Sequence, residues 1–283
     1  AVLDPLLGRP LCEVMFEETG GCLDQTGFTQ PALYAIEVAL AATWRSWGIE
    51  PTVVIGHSVG EFAAAVVAGV FSVEDGARLI AARGRLMQAL PAGGVMVSVQ
   101  GDSRAVLREV AEHADAVSVA AFNAPNNLVI AGARAEVEAI AARLAAQGLR
   151  TQALAVSHAF HSPLMSPVVD EFRRIAEQVV HSAPTLSWIS NLTGAPLDWT
   201  QWGPRMAEYW ARHVREPVAF ERGVQALAAT QCDVQLEVGP HPTLIGLGKL
   251  CLADGRAVEW LPSLKRNMPA WEQMLASVAR LYV

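Results

Sequence analysis

Apolar and polar positions follow two rhythms along this chain, one helical and one extended. Residues 1–27 scatter Pro, Gly and acidic residues among short apolar pieces, the pattern of a surface helix and loop. From Gln30-Pro31-Ala32-Leu33 to Trp47 apolar residues recur at helical spacing, with Pro31 in a first-turn position. Gly48-Ile49-Glu50-Pro51 ends that helix. Thr52-Val53-Val54-Ile55 then reads as a buried parallel strand, and Glu61 onward is helical again. Ser72-Val73-Glu74-Asp75 resembles an N-cap with carboxylates in the first turn. The helix it opens runs through Leu90 and breaks at Pro91-Ala92-Gly93-Gly94.

The next stretch changes rhythm. Val95–Gln100 predicts a strand and Arg104–His113 a helix; Ala116–Phe122 and Asn127–Ala131 predict two strands about the turn Asn123-Ala124-Pro125-Asn126. Ala135–Gln147 is a helix stopped by Gly148, and Thr151–Val156 a strand. This βαββαβ order is ferredoxin-like and marks residues 94–160 as an inserted small subdomain. Strands at Leu186–Ser190 and Val234–Val238 then alternate with helices at Ser166–Val180, Met206–Val214 and Phe220–Ala229. Residues 1–93 and 161–260 therefore make an α/β large subdomain with a mainly parallel sheet covered on both faces. Residues 261–283 predict an extended C-terminal strap and an amphipathic helix.

Composition narrows the function. The 283 residues are 52% hydrophobic and 17% charged, enough for a large core and unlike a disordered chain. A net charge of -7 leaves no basic stripe for phosphates, so nucleic acid is not an expected partner. The longest apolar run, Phe62–Phe71, is too short to span a bilayer. Nothing at the start reads as a secretory signal. Cys12, Cys22, Cys232 and Cys251 are scattered and read as reduced, buried thiols of a cytoplasmic protein, with no metal-ligand spacing.

Chemistry centres on Gly56-His57-Ser58-Val59-Gly60, a Gly-x-Ser-x-Gly motif between strand and helix. In a nucleophile elbow the turn is so tight that glycines flank the serine, whose hydroxyl stands clear of the backbone; this makes the large subdomain α/β-hydrolase-like. The amide of Val59 would face an oxyanion formed there. Of the seven histidines, His161 in His158-Ala159-Phe160-His161-Ser162-Pro163 is the best candidate base. It lies just past the last small-subdomain strand, where a cleft between subdomains would open; the alternative is an ordinary turn residue. No Asp stands at a strand end between Ser58 and His161 to complete a hydrolase triad, so a backbone carbonyl would orient the imidazole in a Ser–His dyad. Arg83, on a largely apolar helix, either points its fork into the cleft to hold a carboxylate or makes a structural salt bridge.

Assembled, these residues resemble an acyltransferase domain of modular type I polyketide synthases. They are similar, more distantly, to malonyl-CoA:acyl carrier protein transacylase. The likeness runs through Thr29-Gln30-Pro31-Ala32-Leu33, Gly56–Glu61, Arg83-Gly84-Arg85-Leu86-Met87-Gln88, Asn123-Ala124-Pro125, His158–Ser162, Trp210–Val218 and Glu237–Pro242. The resemblance implies ping-pong transfer, in which Ser58 takes an acyl group from malonyl-CoA with His161 as base. The acyl group then passes to the phosphopantetheine thiol of an acyl carrier protein, with no bound cofactor or metal. It gives Arg83 the acyl carboxylate, places Gln30, Asn123, His57 and His158 about the pocket, and draws the carbonyl behind His161 from Trp210–Val218, with His213 as first candidate. His-Ala-Phe-His at 158–161 is the malonyl pattern, because Phe160 fills the volume of an α-methyl; Val59 agrees with it.

One departure stands out. Nothing before Gln30 matches the family's opening strand and Gly-Gln-Gly-Ser-Gln segment, whose Gln supplies a second oxyanion amide. The chain is thus expected to be a fragment or an impaired enzyme. A serine thioesterase or esterase and a non-catalytic docking module remain competing readings. The strap resembles the linker that contacts a neighbouring ketosynthase domain. A local basic patch for an acidic carrier protein would come from Arg173-Arg174 or Lys265-Arg266.

Overall fold

Two short helices, α1 (Leu3–Leu7) and α2 (Leu11–Phe16), lead into the long helix α3 (Thr26–Ser46). The computed structural model describes residues 2–17, 20–252 and 258–282. Helix α3 starts a turn earlier than the periodicity implies, because the amides of Phe28 and Thr29 close on the Gln25 carbonyl at 2.8 Å each. Pro31 therefore lies in the second turn, where it leaves only the Gly27 carbonyl without its i+4 donor. Then come β1 (Val53–Ile55), α4 (Gly60–Val67) and α5 (Val73–Gln88). The Ser72 hydroxyl caps α5 by accepting from the Asp75 amide at 3.0 Å.

The inserted unit runs β2 (Gly94–Gln100), α6 (Ser103–Ala111), β3 (Val117–Ala124), β4 (Asn127–Ala133), α7 (Arg134–Ala146) and β5 (Arg150–Ala153). Its antiparallel sheet has the order β3-β4-β2-β5, the ferredoxin-like arrangement read from sequence. Val99, Val106, Ile130, Ile140 and Leu144 fill the space between this sheet and its two helices.

The large body resumes with α8 (Ser166–Ala176), β6 (Ser187–Ile189), α9 (Trp199–Trp202), α10 (Met206–Arg215), α11 (Phe220–Ala229), β7 (Val234–Glu237), α12 (Thr243–Cys251), β8 (Glu259–Pro262) and α13 (Ala270–Leu281). Its strands are parallel, as expected, in two pairs: β1 with β6 and β7 with β8. Strand β8 straddles the boundary drawn at residue 260, so the strap begins within the β7–β8 pair. Helix α13 then folds back: Met274 packs with Leu40 and Trp44 of α3, and the Trp44 indole donates to Ser263 Oγ at 2.8 Å. Trp188, Trp210, Phe62 and Phe172 lie fully buried at the centre of the body, with Phe62 stacked on Trp210 at 4.4 Å.

The two subdomains share a seam. Met96, Ala120 and Ala131 of the small sheet pack with Val218, Phe220 and Val224 of the large body. The backbone of Val218 bonds Ala120 and Phe122, each at 2.9 Å. The thiols differ from expectation: only Cys251 is buried, because Cys12 lies on the outer side of a short surface helix and Cys22 and Cys232 are partly exposed. Among the described residues no helix is long and apolar enough to cross a membrane.

Candidate active site

The elbow forms as its sequence demands. Ser58 takes a left-handed φ of 50°, which lifts its side chain out of the turn between β1 and α4. Gly56 is obligatory: a Cβ there would lie 2.3 Å from the Glu61 amide. Gly60 is not, since its Cβ would meet only the Glu37 carboxylate at 3.7 Å, so the expectation of glycine on both sides holds on one. The Val59 amide has no acceptor among the described residues and stands at the N-terminus of α4.

His161 arrives from the far side of the crevice, also at a left-handed φ, 56°. Its carbonyl accepts from the Ser118 hydroxyl of β3 at 2.7 Å, which ties this strained residue to the small sheet. The ring bridges two partners: Nε2 lies 2.7 Å from Ser58 Oγ and Nδ1 2.8 Å from the carbonyl of Glu216. A carbonyl can only accept, so Nδ1 carries the proton and Nε2 offers its lone pair to the serine. The orienting carbonyl is thus Glu216, not His213. Helix α10 ends at Arg215, and the extended backbone of Glu216 (ψ 156°) turns its C=O off the helix axis towards the crevice. His213 is instead buried in α10, with its Nε2 2.9 Å from Glu61 Oε2. Burial, then the Arg83 charge, holds the His161 imidazole well below the ordinary histidine range, so it is neutral at pH 7.

Arg83 projects from α5 into the same place. One terminal nitrogen donates to Ser58 Oγ at 3.2 Å and the other to Gln30 Oε1 at 2.5 Å, while its Nε has no partner. Gln30 is held in turn by Thr26 Oγ1 at 2.7 Å. Arg83 is 2% exposed, and among the described residues no carboxylate forms an ion pair with it. Burial lowers its pKa to about 9, which still leaves it cationic at neutral pH. A buried, unpaired guanidinium beside a serine hydroxyl is a receptor for an anion. The choice left open by the sequence therefore falls against a structural salt bridge.

The sequence model of the family described as acyl transferase domain matches residues 1–283. The chain belongs to that family. It is 45% identical to the polyketide synthase GfsA of Streptomyces halstedii over 100% of this chain, but spans only 4% of GfsA. Against the mycoketide-CoA synthase of Mycobacterium tuberculosis it is 46% identical over 99% of this chain and 7% of that protein. Among solved structures, the acyltransferase domain from the second module of the salinomycin polyketide synthase superposes with a TM-score of 0.92 and 44% identity. That match covers 99% of this chain and 65% of the other. An acyl carrier protein S-malonyltransferase from Vibrio cholerae matches with a TM-score of 0.86 and 30% identity, covering 99% of this chain and 89% of that one.

The remaining pocket residues of this acyltransferase fall into two groups. His57 Nε2 lies 2.8 Å from Asn123 Oδ1, with its ring against Phe220, which brings the end of β3 against the elbow. Burial lowers the His57 pKa. Phe160, next to His161 in the chain, is half-buried and packs on both the large-body core and the seam between the subdomains. His158 faces another way, bridging the Leu90 carbonyl at 3.1 Å and Ser157 Oγ at 3.0 Å, so it braces the loop that carries Phe160 and His161.

Sequence reasoning missed the layer beneath the acyltransferase elbow. Asn191, just after β6, accepts from the Ser58 amide at 2.7 Å and donates to the Gly56 carbonyl at 2.8 Å. Glu61 Oε1 accepts from the Asn191 amide at 2.9 Å and from the Tyr209 hydroxyl at 2.5 Å. Burial raises the Glu61 pKa to about 8, so Glu61 and His213 meet mainly as neutral groups. One signal did exist: Asn191 follows a predicted parallel strand, the end of a sheet where site residues collect. A groove of about 610 Å3 also opens between the free edges of β1 and β7, lined by Leu33, Glu37, Val54, Gly60 and Leu236.

Proposed function

We propose that this acyltransferase domain moves a malonyl unit from malonyl-CoA, through an ester on Ser58, to the phosphopantetheine thiol of an acyl carrier protein. The observation that carries the reading is the unpaired Arg83 guanidinium, 3.2 Å from Ser58 Oγ. An acyl group with a free carboxylate satisfies that cation, and an acetyl group leaves it desolvated without a partner.

The steps follow from the geometry. His161 Nε2 removes the Ser58 proton as Oγ attacks the thioester carbonyl, and the Glu216 carbonyl stabilises the imidazolium that forms. The developing oxyanion is received by the Val59 amide. The imidazolium then protonates the departing coenzyme A thiolate. In the second half-reaction His161 deprotonates the carrier thiol, which attacks the malonyl-serine ester; the ester C–O bond breaks and the imidazolium returns the proton to Ser58 Oγ. Phe160 crowds the position an α-methyl would occupy, favouring malonyl over methylmalonyl.

The groove between β1 and β7 lies beside the elbow with Gly60 in its wall, and among the described residues each of these strands pairs on one side only, so we assign the groove to an opening strand of the kind the resemblance implies. Helix α13 leaves Trp271 and Leu275 exposed four residues apart on one face, and we assign that face to a neighbouring ketosynthase domain. Arg173-Arg174 and Lys265-Arg266 are all exposed and available to an acidic carrier protein. The location is the cytoplasm, where acyl-CoA is supplied.

The test is a chase. Protein loaded with malonyl-CoA is mixed with holo carrier protein or with buffer, and both proteins are read by intact mass. Transfer to the carrier well ahead of hydrolysis is expected. Release into buffer at the same rate would favour a thioesterase, and no loading at all would favour a docking module.

A further inference from the structure

We propose that Asn191 is the positioning residue of the nucleophile, holding the Ser58 elbow in its strained conformation so that Oγ meets His161 and Arg83. The inference rests on Ser58 being the nucleophile, and not on which acyl group it receives. Each polar group of Asn191 has a task. Its side-chain oxygen accepts from the Ser58 amide at 2.7 Å and its side-chain nitrogen donates to the Gly56 carbonyl at 2.8 Å. Its backbone amide donates to Glu61 at 2.9 Å, and its carbonyl accepts from Ala219 at 2.8 Å.

Those bonds close a ring across the turn. The elbow presents a donor at residue 58 and an acceptor at residue 56, and a primary amide of this length satisfies both at once. A left-handed φ at a non-glycine residue costs on the order of 1–3 kcal/mol and persists only where its surroundings hold it. Here the hold comes from β6, whose pairing with β1 fixes where Asn191 stands, and from the buried Glu61–Tyr209–Ser190 contacts behind it. Because Asn191 occupies the Ser58 amide, the next free amide of the elbow is that of Val59, where the oxyanion forms.

Without the clamp the turn relaxes, Oγ swings away from Nε2, and chemistry slows while the pocket for the acyl group stays intact. Asn191→Ala removes both bonds. Asn191→Asp is nearly isosteric: its carboxylate still accepts from Ser58 but opposes the Gly56 carbonyl with a second acceptor. Protonated, it regains an O–H donor and the full ring. The groups facing that position are Glu61 from α4 and Tyr209 from α10, with His213 and Arg83 beyond Glu61; burial of the site opposes ionisation of the new Asp.

Wild type, Asn191→Ala and Asn191→Asp are labelled with a fluorophosphonate, which reports serine nucleophilicity whatever the natural acyl donor. The kcat and KM for malonyl-CoA loading are measured in parallel, with melting curves to follow folding. Displacing the hydroxyl is expected to cost about a hundredfold in labelling rate and kcat, with KM little changed. Asn191→Asp should recover towards wild type as pH falls, a window in which neutral His161 remains a base. Label rates within about threefold of wild type in both variants would overturn the proposal. So would Asn191→Asp labelling no faster than Asn191→Ala at every pH, which would mean a purely structural role. Should Asn191→Ala fail to fold, Asn191→Asp carries the test alone. Fluorophosphonate labelling without malonyl loading would refute the substrate assignment and still report on Asn191.

Discussion

Replacing Arg83 with alanine isolates the acid-recognising group from the nucleophile and base. A carboxylate lodged against this fork would take two charge-assisted hydrogen bonds, each contributing about 1.5–3 kcal/mol in a desolvated site. Losing both weakens malonyl loading by about 3–6 kcal/mol, roughly a 10²–10⁴-fold fall in kcat/KM. Acetyl loading does not share that loss, because an acetyl group leaves the guanidinium unpaired in the wild type and the alanine variant removes that penalty. The ratio of malonyl to acetyl should therefore collapse by a similar factor. Arg83→Lys keeps the charge without the planar fork and should fall between the two. The assay is an equimolar acyl-CoA competition read by intact-protein mass at short times. Malonyl loading within about threefold of wild type, with the ratio unchanged, would refute the role given to Arg83.

Four further outcomes follow from the same geometry. His161 works as the neutral base and its pKa lies well below the usual range, so acylation should hold as pH falls through 6.5 and fail only lower; a limb centred at or above 6.5 would contradict this. Arg83 is cationic below its pKa of about 9, so KM for malonyl-CoA should rise as pH climbs through that value while acetyl-CoA is unaffected. Trimming Phe160 to alanine relieves overpacking of about 1–3 kcal/mol, which should shift a malonyl–methylmalonyl competition roughly 5- to 150-fold towards methylmalonyl; an unmoved ratio would put the discrimination elsewhere. Gly56→Ala should abolish loading, since its Cβ would lie 2.3 Å from the Glu61 amide, and Gly60→Ala should fold and load; the reverse order would contradict the elbow geometry.

What could be read in advance was whatever a local pattern encodes. The β-branched run before Gly56 and the glycine spacing around Ser58 specify strand, turn and helix within a dozen residues. The alternation of β2 to β5 with two helices specified the ferredoxin-like insert, since β2, β3 and β4 run to 7, 8 and 7 residues and are long enough to show their period. His161 could be placed because it follows the last strand of that insert. The contacts that span the chain left little trace. Asn191 reaches Ser58 across 133 positions, and Tyr209 reaches Glu61 across 148. The carbonyl of Glu216 is a backbone group that any residue could supply, and family analogy put it three residues early. Only the second half of β8 falls in the extended strap predicted over 261–283, because Glu259-Trp260-Leu261-Pro262 shows no alternation until β7 pairs with it. The 3–4-residue strands β1, β6, β7 and β8 are likewise too short to announce their partners.

The central claim is that a hydroxyl, an imidazole and a guanidinium act together on one carboxylated thioester. Its most direct test is peptide mapping after brief exposure to an equimolar mixture of malonyl-CoA and acetyl-CoA. A malonyl group on the peptide containing Ser58, scarcely any acetyl, and no label in Ser58→Ala are expected. Equal labelling by both donors, or malonyl carried on another residue, would contradict it.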